Sequence, residues 1–189
     1  MPLQEGGTAH LMRFLLNLKE KYFFLFLSVT KIYMRGENYM KEYFILSDIH
    51  SFYDEMIVAL NKENFDINNP DHIIIVCGDL LDRGPKSKEV VSFFYDLYNK
   101  ERVILIRGNH EDLFDEIVEY RRYHSYDLSN GTIKTLGQLN TPEMSESRVV
   151  LLFDDAIAGY DRRWDFLRKN MIDYKEIRKL HLRSWLDSC

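Results

Sequence analysis

Asp48 and His50 stand two residues apart just after the apolar run Tyr43-Phe44-Ile45-Leu46. They offer a hard oxygen donor and an imidazole where a strand-length segment gives out. Alternate residues of an extended chain face the same side, so both groups can reach one cation. Two similar clusters follow at nearly equal intervals, Gly78-Asp79-Leu80-Leu81-Asp82-Arg83-Gly84 and Arg107-Gly108-Asn109-His110-Glu111. Together they suggest a metal site that acts on phosphate. A two-metal centre holds its ions roughly 3.5–4 Å apart, needs a carboxylate that can bridge them, and neutralises phosphoryl oxygens. Asp48, His50, Asp79 and Asn109 supply suitable ligands, and oxygen with imidazole but no thiolate favours manganese, iron or zinc. The guanidinium forks of Arg83 and Arg107 suit phosphate oxygens. Gly84 and Gly108 permit tight backbone beside the ions. His110 is placed to protonate a leaving alkoxide, with Asp82 fixing its tautomer.

These groups need strands whose carboxyl ends lie side by side, and the flanking pattern supplies them. Tyr43 to Ser47 has strand length, and Ser51 opens a helical stretch through Phe52, Met56, Ala59 and Leu60, with Asp54 completing a capping box. Asn68-Asn69-Pro70-Asp71 is a turn, and His72 to Cys77 reads as a buried strand ended by Gly78. Ser87 to Lys100 repeats the helical period, Val103 to Ile106 is a third strand, and Glu111 to Tyr123 is the next helix. Strand, helix, strand, helix, strand predicts an α/β fold: a βαβαβ parallel sheet with helices covering it and ligands bound beyond the strands' carboxyl ends. Later in the chain, Ser129-Asn130-Gly131-Thr132 is a turn, Thr141-Pro142 opens a helix, and Trp164 to Asn170 and Lys175 to Trp185 are helical. Val149 to Phe153 is the one later run that resembles a buried strand. The basic residues from Lys169 to Arg183, offset by Asp173 and Glu176, read as a solvated face.

The chain has 189 residues, 46% hydrophobic and 29% charged, enough for one domain with its own core. A formal charge of −5 argues against a general nucleic-acid binder, which needs surplus Lys and Arg. Cys77 lies in an apolar run and is expected in the core; Cys189 is terminal; neither forms a disulfide pattern, which points to the reducing cytoplasm. The apolar block Tyr22 to Val29 is separated from Leu11 to Leu18 by Lys19-Glu20-Lys21, short of the about 20 apolar residues of a membrane span. Residues 1–39 are therefore set apart as an N-terminal extension, either an amphipathic helix, a membrane-surface segment or translated sequence ahead of the true start. The last is favoured, because Met40-Lys41-Glu42-Tyr43 opens as a domain does on its first strand. Residues 40–189 form the domain.

The blocks Asp48-Ile49-His50, Gly78 to Gly84 and Gly108 to Glu111 resemble the first three signature motifs of the calcineurin-like metallophosphoesterases. The full GDxxDRG and RGNHE forms resemble the phosphoprotein phosphatase branch, including its small bacterial and phage serine/threonine phosphatases, over about residues 40 to 140. The resemblance implies that Asp48 and His50 bind a first ion, Asp79 bridges, and Asn109 binds a second. It further implies that Asp82 and His110 form an acid dyad, while Arg83 and Arg107 hold phosphate. The implied reaction is hydrolysis of a phosphorylated protein or small phosphoester by metal-activated hydroxide; related enzymes with these motifs hydrolyse dinucleoside polyphosphates. Ser51 stands where the family usually has glycine. Two later histidines that complete the family's second metal site have no counterpart: His124 and His181 both read as surface residues. The expectation is a chain truncated before the second half of the family's sheet, with an incomplete second site. A non-catalytic metal-binding fragment is thus the rival reading.

Overall fold

The computed structural model describes residues 29–35 and 40–173. Four strands form one sheet in the order β1 (Thr30–Arg35), β2 (Met40–Leu46), β3 (His72–Cys77) and β4 (Val103–Ile106). β2, β3 and β4 run parallel, with Phe44 opposite Ile74 and Ile75 opposite Ile104. Helix α1 (Tyr53–Lys62) makes the first crossover and α2 (Ser87–Asn99) the second. This is the α/β arrangement expected from the alternation of short β-branched runs with helical periods. An added strand, β1, lies antiparallel on β2, within the segment that the sequence pattern set apart as an extension.

Side chains alternate across the strands, and one set, Phe44, Leu46, Ile74, Val76, Val103 and Leu105, joins the main core. The other set is buried as well, with Ile73, Ile75 and Ile106 all nearly inaccessible. A central parallel strand buried on both faces explains why His72 to Cys77 reads as a continuous apolar run. Cys77 itself ends the strand half-buried rather than in the core.

After β4 the elements among the described residues are helices: α3 (Asn109–Tyr120), α4 (Ser125–Asn130), α5 (Thr132–Leu139), α6 (Glu146–Leu151), α7 (Phe153–Gly159) and α8 (Arg162–Lys169). Three local expectations change here. Val149 to Phe153 spans the end of α6, a turn at Leu152 and the start of α7 rather than a strand; only Val149 is fully buried while Val150 and Leu151 face solvent, and Ser145 caps the first turn of α6 by accepting from the Arg148 N–H. Thr141-Pro142 lies in a turn with a cis peptide bond, and the helix begins at Glu146 with Ser145 as its cap. Ser51 is not a cap: its hydroxyl bonds Ser87 at 2.8 Å, while Asp54 pairs with Lys86. Gly131, with φ of +88°, makes the expected turn, but between two helices.

The helix expected at 175–185, with His181 and Cys189, lies outside the described residues, as does the apolar block before Val29. Among the described residues no helix is long and apolar enough to cross a membrane.

Ile74 is fully buried in the middle of β3. Replacing it with alanine should cost about 2–5 kcal/mol through lost transfer energy and the cavity left behind. Urea unfolding should show that loss as a lower midpoint with little change in slope.

Candidate metal centre

Three loops meet at the carboxyl ends of β2, β3 and β4. The first two are laced by backbone hydrogen bonds that continue the parallel ladder past the strands: His50 N–H to Asp79 O at 3.0 Å, Ser51 N–H to Leu80 O at 2.8 Å, and Gly84 N–H back to His50 O at 2.8 Å. Holding this geometry forces non-glycine residues into left-handed backbone. Asp48, His50, Ser51, Asp79, Asp82 and Arg83 all have positive φ, six of the nine such non-glycine residues among those described. Where the second and third loops touch, Gly78 (φ +87°) and Gly108 pack backbone to backbone. A β-carbon on Gly78 would lie 2.7 Å from the Gly108 Cα, and one on Gly108 would lie 2.3 Å from an Asp79 carboxylate oxygen.

The structure brings Asp48, His50, Asp79, Asp82, Arg83 and His110 together. His50 is buried and its Nδ1–H donates to Leu81 O at 3.1 Å, which leaves the Nε2 lone pair for a ligand. His110 is buried too, its Nδ1–H donating to Asp82 Oδ2 at 2.8 Å. The same oxygen accepts from Thr132 Oγ1 at 2.8 Å, and the Asp82 amide donates to Thr135 Oγ1 at 3.0 Å. The two imidazoles lie edge to face with centroids 4.6 Å apart. Ligand atoms of His50, Asp79 and His110 all fall within 4.8 Å of one another. Among the described residues this is the one group of three or more such side chains close enough to share an ion. The oriented His50 lone pair and the Asp79 carboxylate fit a divalent cation, with the His110 imidazole alongside. Asp48, half exposed, places Oδ1 3.9 Å from His50 Nε2. Asn109 is exposed at the first position of α3.

Arg83 spans the two imidazoles, Nη1 at 3.0 Å from His50 Nε2 and Nη2 at 3.2 Å from His110 Nε2. Arg107 is engaged elsewhere: Nε donates to Asp112 at 2.6 Å, and Nη2 pairs with Asp115, which also binds Arg168. His124 caps α4, its ring stacked on Tyr126. The sequence reading gave no role to Glu111 or to the threonines behind Asp82. Glu111 was legible as the acidic third residue of a helix whose cap is Gly108. The threonines lie on α5, of which the sequence pattern marks only Thr132, as the end of a turn.

The two histidines are tuned apart. Burial, reinforced by the nearby charges of Arg83 and His110, lowers the His50 pKa against the pull of the Leu81 carbonyl. Burial also presses on His110, but the hydrogen bond to Asp82 and the charges of Asp82 and Asp79 outweigh it and raise the pKa. The Arg83 guanidinium, 3.2 Å from His110 Nε2, opposes that rise without cancelling it.

A family profile described as calcineurin-like phosphoesterase matches residues 43–186. The asymmetrical bis(5'-nucleosyl)-tetraphosphatase PrpE of Bacillus subtilis is 34% identical over 114 residues, 57% of this chain and 46% of its own. A symmetrical bis(5'-nucleosyl)-tetraphosphatase of Buchnera aphidicola subsp. Acyrthosiphon pisum (strain Tuc7) is 44% identical over 72 residues, 38% of this chain and 24% of its own. The chain therefore spans less than half the length of these relatives. A solved structure of a cold-active protein tyrosine phosphatase mutant overlaps 51% of this chain and 34% of its own at 25% identity, with a TM-score of 0.35, too low to bear on the fold.

In the metal-free protein, NMR titration should find His110 above and His50 below the ordinary value of about 6.5. Asp82→Asn should bring His110 down. Because the folded pKa of His110 is raised, the stability it contributes is present at low pH and fades as pH rises through that value. Coincident midpoints would contradict the geometry.

Proposed function

The chain belongs to the calcineurin-like phosphoesterase family, and from that premise we propose that it hydrolyses phosphoanhydrides of the dinucleoside polyphosphate class. One observation carries the chemistry: the donor atoms of His50 and Asp79 lie within 4.8 Å of each other and of the His110 imidazole beyond parallel strand ends, under a guanidinium. The substrate class rests on relatives named as bis(5'-nucleosyl)-tetraphosphatases. The full GDxxDRG and RGNHE motifs favour a second reading, a serine/threonine protein phosphatase.

His50 and Asp79, with Asp48 beside them, would hold a divalent ion, manganese, iron or zinc by donor type. When bound, such an ion supplies Lewis-acid charge for phosphoryl oxygens and lowers the pKa of water. A phosphate arriving at the loops draws Arg83 into a two-oxygen grip, stronger than its contacts with neutral imidazoles. That movement exposes His110 Nε2, which takes up a proton under the charge of Asp82 and delivers it to the leaving oxygen. Thr132 and Thr135 keep Asp82 aimed at His110 throughout. Arg107, tied to Asp112 and Asp115, anchors the third loop rather than the substrate. Asn109 would serve a second ion, for which further ligands are not found among the described residues.

Diadenosine tetraphosphate and a phosphoserine peptide, each tested with manganese, iron and zinc, separate the readings. Faster kcat/KM on the dinucleotide is expected; the reverse order selects the protein phosphatase. Asp79→Asn should abolish turnover, and His110→Asn should lower kcat by roughly 10²–10⁴. Absence of turnover on both substrates with every metal would sink the proposal.

A further inference from the structure

Glu111 takes no part in the steps above, yet it is 1% exposed and lies against Asp79. A carboxylate removed from water ordinarily needs a cation or a full set of donors. Glu111 has the donors: its Oε1 accepts from the Leu80 amide at 2.9 Å, and its Oε2 from the Asp79 amide at 3.0 Å and the Gly108 amide at 2.8 Å. Two of these amides belong to the loop after β3 and one to the loop after β4.

We infer that Glu111 is a positioning residue that fixes Asp79 relative to His110 by clamping the two loops through their backbone amides. The inference rests on the reading of Asp79 as a metal ligand. Asp79 is then held from both ends, its backbone N–H by Glu111 and its Oδ1 by the His110 amide at 3.1 Å, in a left-handed conformation with φ of +58°. The side chain that closes this circuit comes from the residue next to His110. Helix α3 therefore carries both the imidazole and the clamp that sets the carboxylate facing it. Gly108 leaves the space the clamp needs, since a β-carbon there would meet Glu111 Oε2 at 2.9 Å.

The chemistry demands a carboxylate, not just its shape. Glutamine is isosteric, but its amide nitrogen is a donor. In one orientation that nitrogen faces the amides of Asp79 and Gly108, and in the other it faces Leu80. Either way at least one buried N–H loses its acceptor and meets a donor.

The test uses the full chain and zinc, so turnover is not required. Calorimetry of Glu111→Gln should show zinc affinity reduced roughly 10–100-fold, as for other groups that orient a metal's ligands. Amide proton shifts of Asp79, Leu80 and Gly108 should move while those of Ile74 and Phe94 stay. Zinc affinity within twofold of wild type, or equal shifts across the core, would overturn the inference. Should Glu111→Gln fail to fold, Glu111→Asp replaces it: that carboxylate keeps the charge but is one methylene too short to reach all three amides. A folded Glu111→Asp chain with wild-type affinity overturns the clamp as well. If neither folds, Glu111 supports the whole domain rather than the site, which also overturns it. A wild-type chain that binds no zinc would instead overturn the metal-centre reading beneath the inference.

Discussion

Hydrogen bonding between parallel neighbours does not stop where β2 and β3 end. The ladder runs on through His50 to Asp79 and Ser51 to Leu80, and Gly84 returns to the His50 carbonyl. Most of the candidate site depends on that continuation, because Asp48, His50, Asp79, Asp82 and Arg83 lie on the laced segments, with only His110 brought in from the third loop. Loops that satisfy each other's backbone groups can be partly buried without orphaned amides or carbonyls. The cost is conformational. Left-handed backbone at a non-glycine residue is unfavourable by about 1–3 kcal/mol, and such residues persist only where their surroundings over-determine them. The close-packed sheet beneath, with Ile74, Ile75 and Val76 inaccessible to solvent, provides that support.

Buried charge follows the same logic. A chain of net charge −5 places Asp82 and Glu111 almost completely out of water within its candidate site. Asp82 is answered by His110 and Thr132, Glu111 by three backbone amides. Burial, followed by the charge of Asp79, still pushes the Glu111 pKa up against those amides. Its acceptor role is thus maintained by geometry rather than by a cationic partner.

The periphery ties the third loop to α8, the last helix among the described residues. Arg107 and Arg168 share Asp115, and Arg168 also pairs with Asp165, whose Oδ1 accepts from the Tyr160 hydroxyl at 2.8 Å. The Arg107 amide donates to Ile172 O and the Ile172 amide to Leu105 O, so residue 172 runs as a short parallel bridge beside β4. A guanidinium that looked, from its place in the motif, like a phosphate ligand is thereby occupied by two carboxylates of the helix that follows it.

Sequence by itself determined the α/β class, the three parallel strands, their crossover helices and the clustering of Asp48, His50, Asp79, Asp82, Arg83 and His110. Those follow from local periodicity and from motifs placed at strand ends, which chain direction alone brings to one edge of a parallel sheet. Elements set by distant partners were not legible. β1 exists through pairing with β2. Val149 packs beside Gly137 of α5, and the Ser51 hydroxyl bonds Ser87 across the loop instead of capping α1. The pairing of Asp82 with His110 was legible from the motifs; the tertiary structure alone decided that threonines stand behind Asp82, that Arg83 rather than Arg107 meets the imidazoles, and that Glu111 gathers three amides. Such assignments depend on approach between residues far apart in the chain, and on burial that makes each unmet hydrogen bond costly, which spacing does not encode.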